Sequence, residues 1–305
     1  MDKEIEWPVK QREVYGFCMD STYWNDFKFR DDDIIIATWA KCGTTWVQQI
    51  VAQFIFNGET DDLPIGDMSM WVDFRIPSLE VKTPILEAQT HRRFMKTHLP
   101  LYGLVFKPFV KHIYIARDGR DMMMSAYHAH KYMLPWVFEE FDKLEPMGHR
   151  FDPLTDETSP RDYFMRWLTE DGAPYWTFWD HIKSWWDARD LPNVMVIHYQ
   201  NLKDDMEGMM LKIGEFLGYE KPADEELWKK MVLHCTFDYM KKNAPASAPL
   251  QGSLWEGGAE TFVNKGTNGR WKDVLTKEDS ELYEKMAVEK LGEECAYWLE
   301  TGKFK

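Results

Sequence analysis

Chemistry is most plainly offered by Lys41-Cys42-Gly43-Thr44-Thr45-Trp46, where a lysine, a glycine and two threonines follow a short isoleucine-rich run. Such residues, set between a strand and a helix N-terminus, turn backbone N–H groups, hydroxyls and one mobile cation toward an anion, which makes this a phosphate-binding loop. Lys96-Thr97-His98 places an ammonium and an imidazole two residues apart, on one face of an extended chain. Arg117, followed by Ser125 one turn into a helix, pairs a cation with a hydroxyl a second time. Phe262-Val263-Asn264-Lys265-Gly266-Thr267-Asn268-Gly269-Arg270-Trp271-Lys272 is a glycine-punctuated basic loop, suited to a ligand. The pattern G-x-x-x-x-G-K-[ST] is absent, because Lys41 precedes Gly43 and no glycine stands five residues before it. Taken one at a time, the same stretches also describe an ordinary α/β crossover, a structural histidine, an arginine paired with Asp118 or Asp121, and a surface turn.

The elements that must position these groups read as strand–loop–helix units. Ile34-Ile35-Ile36, led in by Asp31 to Asp33, predicts a buried parallel strand. From Thr45 onward Trp46, Val47, Ile50, Val51, Phe54 and Ile55 recur at helical spacing, and Asn57-Gly58 supplies the stop. Phe94 to His98 predicts a short strand. Val110 to Ala116 predicts another, followed by a basic loop at Arg117–Arg120 and a helix capped by Asp121 that runs to Tyr132 and stops at Pro135. Asn193 to Tyr199 predicts a further strand, then a helix to Leu217 closed by Gly218. Helices are also expected from Tyr175 to Arg189, from Asp224 to His234, and from the capping-box-like Thr276-Lys277-Glu278-Asp279 to Gly292.

Connections of crossover length make an α/β fold the expectation: one domain over 1–305, with a mostly parallel central sheet flanked by helices. Lys41, Lys96, His98 and Arg117 then gather at strand C-terminal ends, where ligands sit in open α/β sheets. Residues 1–33 are expected to form an irregular segment packed on the body. Residues 134–160, rich in proline, glycine and acid, read as a long excursion of the kind that forms lids. Met68, Met70, Trp71 and Phe74 are either core or the apolar wall of a ligand pocket.

Composition sets the outer bounds. The formal charge of −14, from 37 basic and 51 acidic residues, argues against a nucleic-acid or anionic-membrane partner, so any anionic ligand needs a local basic cluster. Cys18, Cys42, Cys235 and Cys295 are scattered, without metal-ligand or disulfide spacing, and reduced thiols in the cytoplasm are expected. The opening Met1 to Glu6 lacks the basic-then-apolar build of a signal peptide, and no apolar run nears the ~20 residues of a membrane span. The expectation is a soluble cytoplasmic protein.

Together the motifs resemble those of the cytosolic sulfotransferases. Thr38-Trp39-Ala40-Lys41-Cys42-Gly43-Thr44-Thr45-Trp46 is similar to the family's 5′-phosphosulfate loop, T-Y-P-K-S-G-T-T-W. Lys96-Thr97-His98-Leu99-Pro100 is similar to its K-T-H-L-P segment. Ile115-Ala116-Arg117-Asp118-Gly119-Arg120-Asp121 through Ser125-Ala126-Tyr127 resembles its 3′-phosphate segment, and Lys265-Gly266 with Gly269 to Lys272 its R-K-G-x-x-G-x-W-K loop. Order and spacing agree over roughly residues 30–290. The resemblance implies transfer of a sulfonate group from 3′-phosphoadenosine 5′-phosphosulfate (PAPS) to a hydroxyl or amine of a small aromatic or apolar acceptor. Adenosine 3′,5′-bisphosphate (PAP) is then the product, and no metal is required. It implies that Lys41, Thr44 and Thr45, in one loop with Cys42 and Gly43, hold the 5′-phosphate. Trp46 and Phe237 would stack on adenine and Tyr199 would hydrogen-bond it. Arg117, Ser125, Lys265 and the Gly266 backbone would bind the 3′-phosphate, Lys96 would sit beside the transferring group, and His98 would be the general base.

The chain departs from that pattern in places. Trp39-Ala40 replaces Tyr-Pro and Cys42 replaces Ser. Asn264 stands where the family has Arg, which removes one charge contact to the 3′-phosphate. Cys235 occupies a threonine position beside adenine, with Thr236 as its substitute. The dimer motif K-x-x-x-T-V-x-x-x-E appears as Lys272, Thr276, Lys277 and Glu281, with Lys277 in place of Val, so a monomer or a differently formed dimer is expected. Two other classes compete: a P-loop-type small-molecule kinase, with Asp118 holding magnesium, and a non-catalytic nucleotide-binding protein. The missing Walker loop counts against the first, and the pairing of Lys96 with His98 against the second.

Overall fold

The computed structural model describes residues 5–305; Met1 to Glu4, which belong to the opening stretch read for a signal peptide and to the 1–33 segment, lie outside the described residues. The N-terminal approach is irregular apart from a 3-10 turn at Ser21–Trp24. It leads into β1 (Ile34–Thr38), buried along its whole length. Then come α1 (Thr44–Ile55), α2 (Ile65–Met68), α3 (Leu79–Ala88), β2 (Phe94–Thr97) and β3 (Lys111–Ala116). The middle of the chain forms α4 (Gly119–Lys131), α5 (Pro135–Asp142), α6 (Pro160–Thr169), α7 (Trp179–Trp186) and β4 (Val194–His198). The remainder is helical: α8 (Tyr199–Asp204), α9 (Met206–Leu217), α10 (Glu225–His234), α11 (Phe237–Lys242), α12 (Ala244–Ser247), α13 (Ala259–Phe262), α14 (Lys277–Leu291) and α15 (Glu293–Thr301).

The four strands form one all-parallel sheet in the order β2-β1-β3-β4, with Ile36 opposite Lys96 and Ala37 opposite Tyr114. Alternate residues feed two cores. Ile35, Ala37, Met95 and Tyr114 pack with Trp167, Trp185 and Trp298 on one face; Ile34, Ile36, Ile113 and Ile115 pack with Val47, Ile50 and Met210 on the other. Burial on both faces is why the strands read as continuous apolar runs. Order β2-β1-β3 puts the ends of all three strands side by side, and with them Lys41, Lys96, His98 and Arg117.

Several boundaries differ from expectation. Asp118, not Asp121, caps α4, accepting from the Arg120 N–H at 2.8 Å. Arg120 therefore lies in the first turn rather than in a basic loop, buried against Asp118 at 2.6 Å. Pro135 opens α5 instead of merely ending a helix, because proline at the first helical position loses no hydrogen bond. Tyr199, expected to end the strand, already opens α8, and the helix expected to run on to Leu217 breaks at Asp205, whose carboxylate caps α9 by accepting from Gly208 N–H. The helix expected over 175–189 is shorter, Trp179–Trp186. α2, α3, α5, α6, α11 to α13 and α15 have no counterpart among the expected elements, although Ser159-Pro160 with Asp162 is a legible start to α6.

Candidate active site

β1 hands over to α1 through a loop whose backbone is unusual at two positions. Lys41 has φ 63°, and Gly43, at the N-cap of α1, has φ 115° with no side chain capping the helix. A Cβ on Gly43 would stand 2.9 Å from the Tyr199 ring and 3.0 Å from Ile115, so neither the conformation nor the space admits a larger residue. Lys41, Gly43, Thr44, Thr45 and Trp46 line one cavity of about 490 Å³.

That cavity gathers most of the expected site. Lys96 and His98 open onto it from β2, Arg117 and Ser125 from the end of β3 and from α4, Tyr199 and Phe237 from the starts of α8 and α11, and Asn264, Lys265 and Gly266 from the basic loop. Two expected residues do not line it. Cys42 is buried with its thiol 3.7 Å from the Ala40 carbonyl, and burial pushes its pKa up to about 12. Thr236 serves as the N-cap of α11, accepting from Tyr239 N–H and donating to the Leu233 carbonyl. Cys235, just before it, contributes its backbone: Trp46 donates its indole N–H to the Cys235 carbonyl at 2.8 Å.

The tautomer of His98 follows from its neighbours. Nδ1 lies 2.8 Å from the Thr38 carbonyl, which can only accept, so Nδ1 carries the proton and Nε2 the lone pair. The Thr38 hydroxyl is 3.0 Å from the same nitrogen and 2.7 Å from the Thr44 hydroxyl, joining His98 to the start of α1 through one residue. Trp71 meets the imidazole edge-on at 4.5 Å and Trp176 stacks on it at 5.8 Å. Burial, reinforced by Lys96 and Lys41, lowers its pKa to about 3, so the ring is neutral at physiological pH.

The cations tell a matching story. Burial, then Arg117 and Lys96, bring Lys41 down to about 7; burial brings Lys96 down to about 8 against the opposing pull of Asp73 and Asp67. Lys41 Nζ sits 3.9 Å from the centroid of Phe262. The buried ion pairs form elsewhere, at Asp33–Arg93 and Asp118–Arg120. Among the described residues Lys41, Lys96, Arg117, Lys265 and Arg270 join no ion pair. Arg117 does not pair with Asp118 or Asp121. Its Nε and Nη2 donate to Asn268 Oδ1 at 3.0 and 2.6 Å and Nη2 also to the Thr267 carbonyl at 2.9 Å, while its guanidinium lies 4.2 Å from the Tyr199 ring centroid. Gly266, at φ 63°, lies so flat on Phe237 that a Cβ would come within 2.5 Å of the ring. The Nδ2 of Asn264 is buried without a hydrogen-bond partner. Asp118, the magnesium ligand of the kinase alternative, spends its carboxylate on Arg120.

Beyond His98 the cavity turns apolar. Met70, Trp71 and Phe74 form one wall; Met133, Val137, Phe141 and Phe151 come from the 134–160 excursion and its edge. Met68 packs instead into the core beneath α1. Trp176, expected within the helix over 175–189, and Arg270, expected only as part of the basic loop, are both cavity residues. The signal for Arg270 was its place in the one strongly positive stretch of an acidic chain.

A sulfotransferase-domain family model matches residues 31–294. A glycolipid sulfotransferase of Mycobacterium bovis (strain BCG / Pasteur 1173P2) is 29% identical over 306 residues, covering 91% of this chain and 91% of its own length. Sulfotransferase 1B1 of Canis lupus familiaris is 29% identical over 284 residues, covering 89% and 87%. Among solved structures, retinol dehydratase in complex with androsterone and inactive cofactor PAP superposes with a TM-score of 0.69 at 21% identity, covering 92% of this chain and 90% of its own. Mouse sulfotransferase SULT7A1 complexed with PAP gives 0.68 at 21%, covering 91% and 90%. The structural likeness is one of fold, and the family match spans the sheet and every motif that lines the cavity. The chain belongs to the sulfotransferase family and is a sulfotransferase.

Proposed function

We propose that this enzyme moves a sulfonate group from PAPS to a hydroxyl, or an amine, of a small aromatic or apolar acceptor, with His98 as general base. One observation carries the reading: a neutral His98, its Nε2 lone pair fixed by the Thr38 carbonyl, shares a cavity with lysines and arginines that form no ion pair among the described residues. The residues fit such a donor. An orphaned Asn264 Nδ2, a glycine at the open N-terminus of α1 and a second glycine laid on Phe237 suit a nucleotide with phosphates at both ends.

Lys41, Thr44, Thr45 and the first-turn N–H groups of α1 would hold the 5′-phosphate, with Cys42 and Gly43 shaping the loop. Arg117, Ser125, Lys265, Gly266 and Asn264 would take the 3′-phosphate; Trp46, Phe237 and Tyr199 would hold adenine, with Thr236 supporting Phe237 as the cap of its helix. As the acceptor oxygen bonds to sulfur, its proton passes to His98 Nε2. The sulfur–oxygen bond to the phosphate breaks and its electron pair stays on that phosphate, leaving PAP. Lys41 meets the charge that builds there, and Lys96 stands beside the transferring oxygens. The donor's negative charge opposes the lysines that depress His98, and so restores its basicity when the acceptor arrives. The Met, Phe and Trp wall favours an apolar acceptor, with residues 134–160 as its lid.

Two lysines and backbone donors supply the positive charge, so turnover is proposed to be independent of magnesium. Four buried free thiols suit a reducing, cytoplasmic setting. Lys277, exposed and paired with Glu281 at 3.0 Å, favours a monomer or a dimer formed through another surface. Calorimetric titration with PAP, beside ATP with and without magnesium, tests the reading. Metal-independent binding of PAP with weak ATP binding is expected; magnesium-dependent ATP binding with no response to PAP would overturn it.

A further inference from the structure

The basic loop is held from two sides. Asn268 accepts twice from Arg117 through Oδ1 and donates to Gln200 Oε1 at 2.8 Å. Gly269 N–H donates to Asp121 Oδ1 at 2.7 Å, at the start of α4. Arg270 follows at once. With the two residues before it fixed, Arg270 lines the same cavity as Arg117, Ser125, Lys265 and the orphaned Asn264 amide. It is half-buried and, among the described residues, enters no ion pair. Burial and the charge of Arg117 both lower its pKa, which marks two guanidiniums that repel one another across this end of the cavity. Asp121, the carboxylate that opposes them, is committed to the loop backbone. Two neighbouring, partly desolvated guanidiniums facing a single carboxylate leave this end of the cavity net positive, a cost that an anion lying between them would offset.

We propose that Arg270 is a donor-binding residue of this chain, which holds the 3′-phosphate of the nucleotide together with Arg117 and Lys265 and supplies the charge that Asn264 does not. The loop's two tethers make the arrangement preorganised, because neither Asn268 nor Gly269 must move for the guanidinium to face the phosphate. A guanidinium also suits the task geometrically, since it offers paired N–H donors to phosphate oxygens. The inference rests on the donor reading above and assigns one of its phosphates to a residue outside the resembling motif's own cation pair.

The test uses the full chain and two ligands that differ only at the 3′ position: PAP and adenosine 5′-monophosphate, titrated by calorimetry. Arg270→Ala is expected to weaken PAP by about tenfold or more, the size of one charge-assisted contact, and to leave the monophosphate within about twofold. Asn264→Arg placed in the Arg270→Ala background is expected to recover most of the lost PAP affinity. Arg270→Gln, which keeps the stem and a donor, should fall between. Equal losses for the two ligands would reduce Arg270 to a loop-folding role and overturn the proposal, as would unchanged PAP affinity. A wild-type chain that bound neither ligand would overturn the donor reading itself, and the proposal with it, so the two failures are distinct.

Discussion

Replacing His98 by Asn removes Nε2 while leaving an amide N–H to donate where Nδ1–H now meets the Thr38 carbonyl at 2.8 Å. The tie between β1 and β2 is therefore retained and the proton acceptor is lost. General-base catalysis is worth roughly 10²–10⁴-fold, or about 3–5 kcal/mol at 1.36 kcal/mol per decade, and kcat should fall by that amount. The donor site is built from other groups, and His98 reaches it only through the Thr38 hydroxyl, so the Kd for PAP should stay within about threefold. The assay is sulfonate transfer from PAPS to a series of phenols of graded acidity. The deficit should be largest for the least acidic phenol and shrink as the acceptor ionises by itself, because a group already deprotonated needs no base. Undiminished kcat for a weakly acidic acceptor would refute the role, and so would a loss that tracks weakened PAP binding across the whole series.

Binding of PAP at pH 8 should take up protons, because an anion raises Lys41 and Lys96 from about 7 and about 8; calorimetry in buffers of differing ionisation enthalpy reads this directly, and zero uptake would count against the lysines as its partners. Stability should decline in acid. Burial holds His98, His112 and His181 near 3 and His130 and His198 near 4, against 6.5 when exposed. Their contribution is complete above pH 6.5 and is lost as pH falls toward 4, since only the unfolded chain takes up those protons. The slope is up to about 1.4 kcal/mol per pH unit for each histidine, and a melting temperature flat between pH 7 and 5 would contradict it. Gly43→Ala forces a Cβ against Tyr199 at a φ of 115°, with an expected cost on the order of 1–3 kcal/mol in stability and a weakened nucleotide site; normal PAP affinity would show that the loop yields.

The parts legible in the sequence were those whose signal is local. β1 and β3 declare themselves as apolar runs that end in polar residues, and Lys41, Lys96 and Arg117 lie within three residues of strand ends in the structure. The capping box at Thr276 and Asp279 was readable because both partners sit within one helical turn. What could not be read depends on distance along the chain. Arg117 and Asn268 meet across 151 positions, and nothing near either residue announces the other. Asp118 and Asp121 are both acceptable caps for α4 on local grounds; burial of Arg120 under Trp271 decides between them. Trp176 fits a helical stripe, yet it stands ahead of α7, where its ring faces His98.

The apolar wall comes largely from three segments, Met70 to Phe74, Met133 to Phe151 and Pro249 to Trp255, of which only the first touches the sheet, where Trp71 bridges Lys96 of β2. The donor groups, by contrast, hang on strand ends and on helix starts that the sheet fixes. Inheritance can therefore treat the two halves separately. With the roles proposed above, exchanges along the latter two segments would reshape what the enzyme accepts without disturbing a strand register, whereas exchanges at Lys41, His98 or Arg117 would strike the transfer itself. A lineage built on this frame would diversify by redrawing its wall while the proposed chemistry stayed constant.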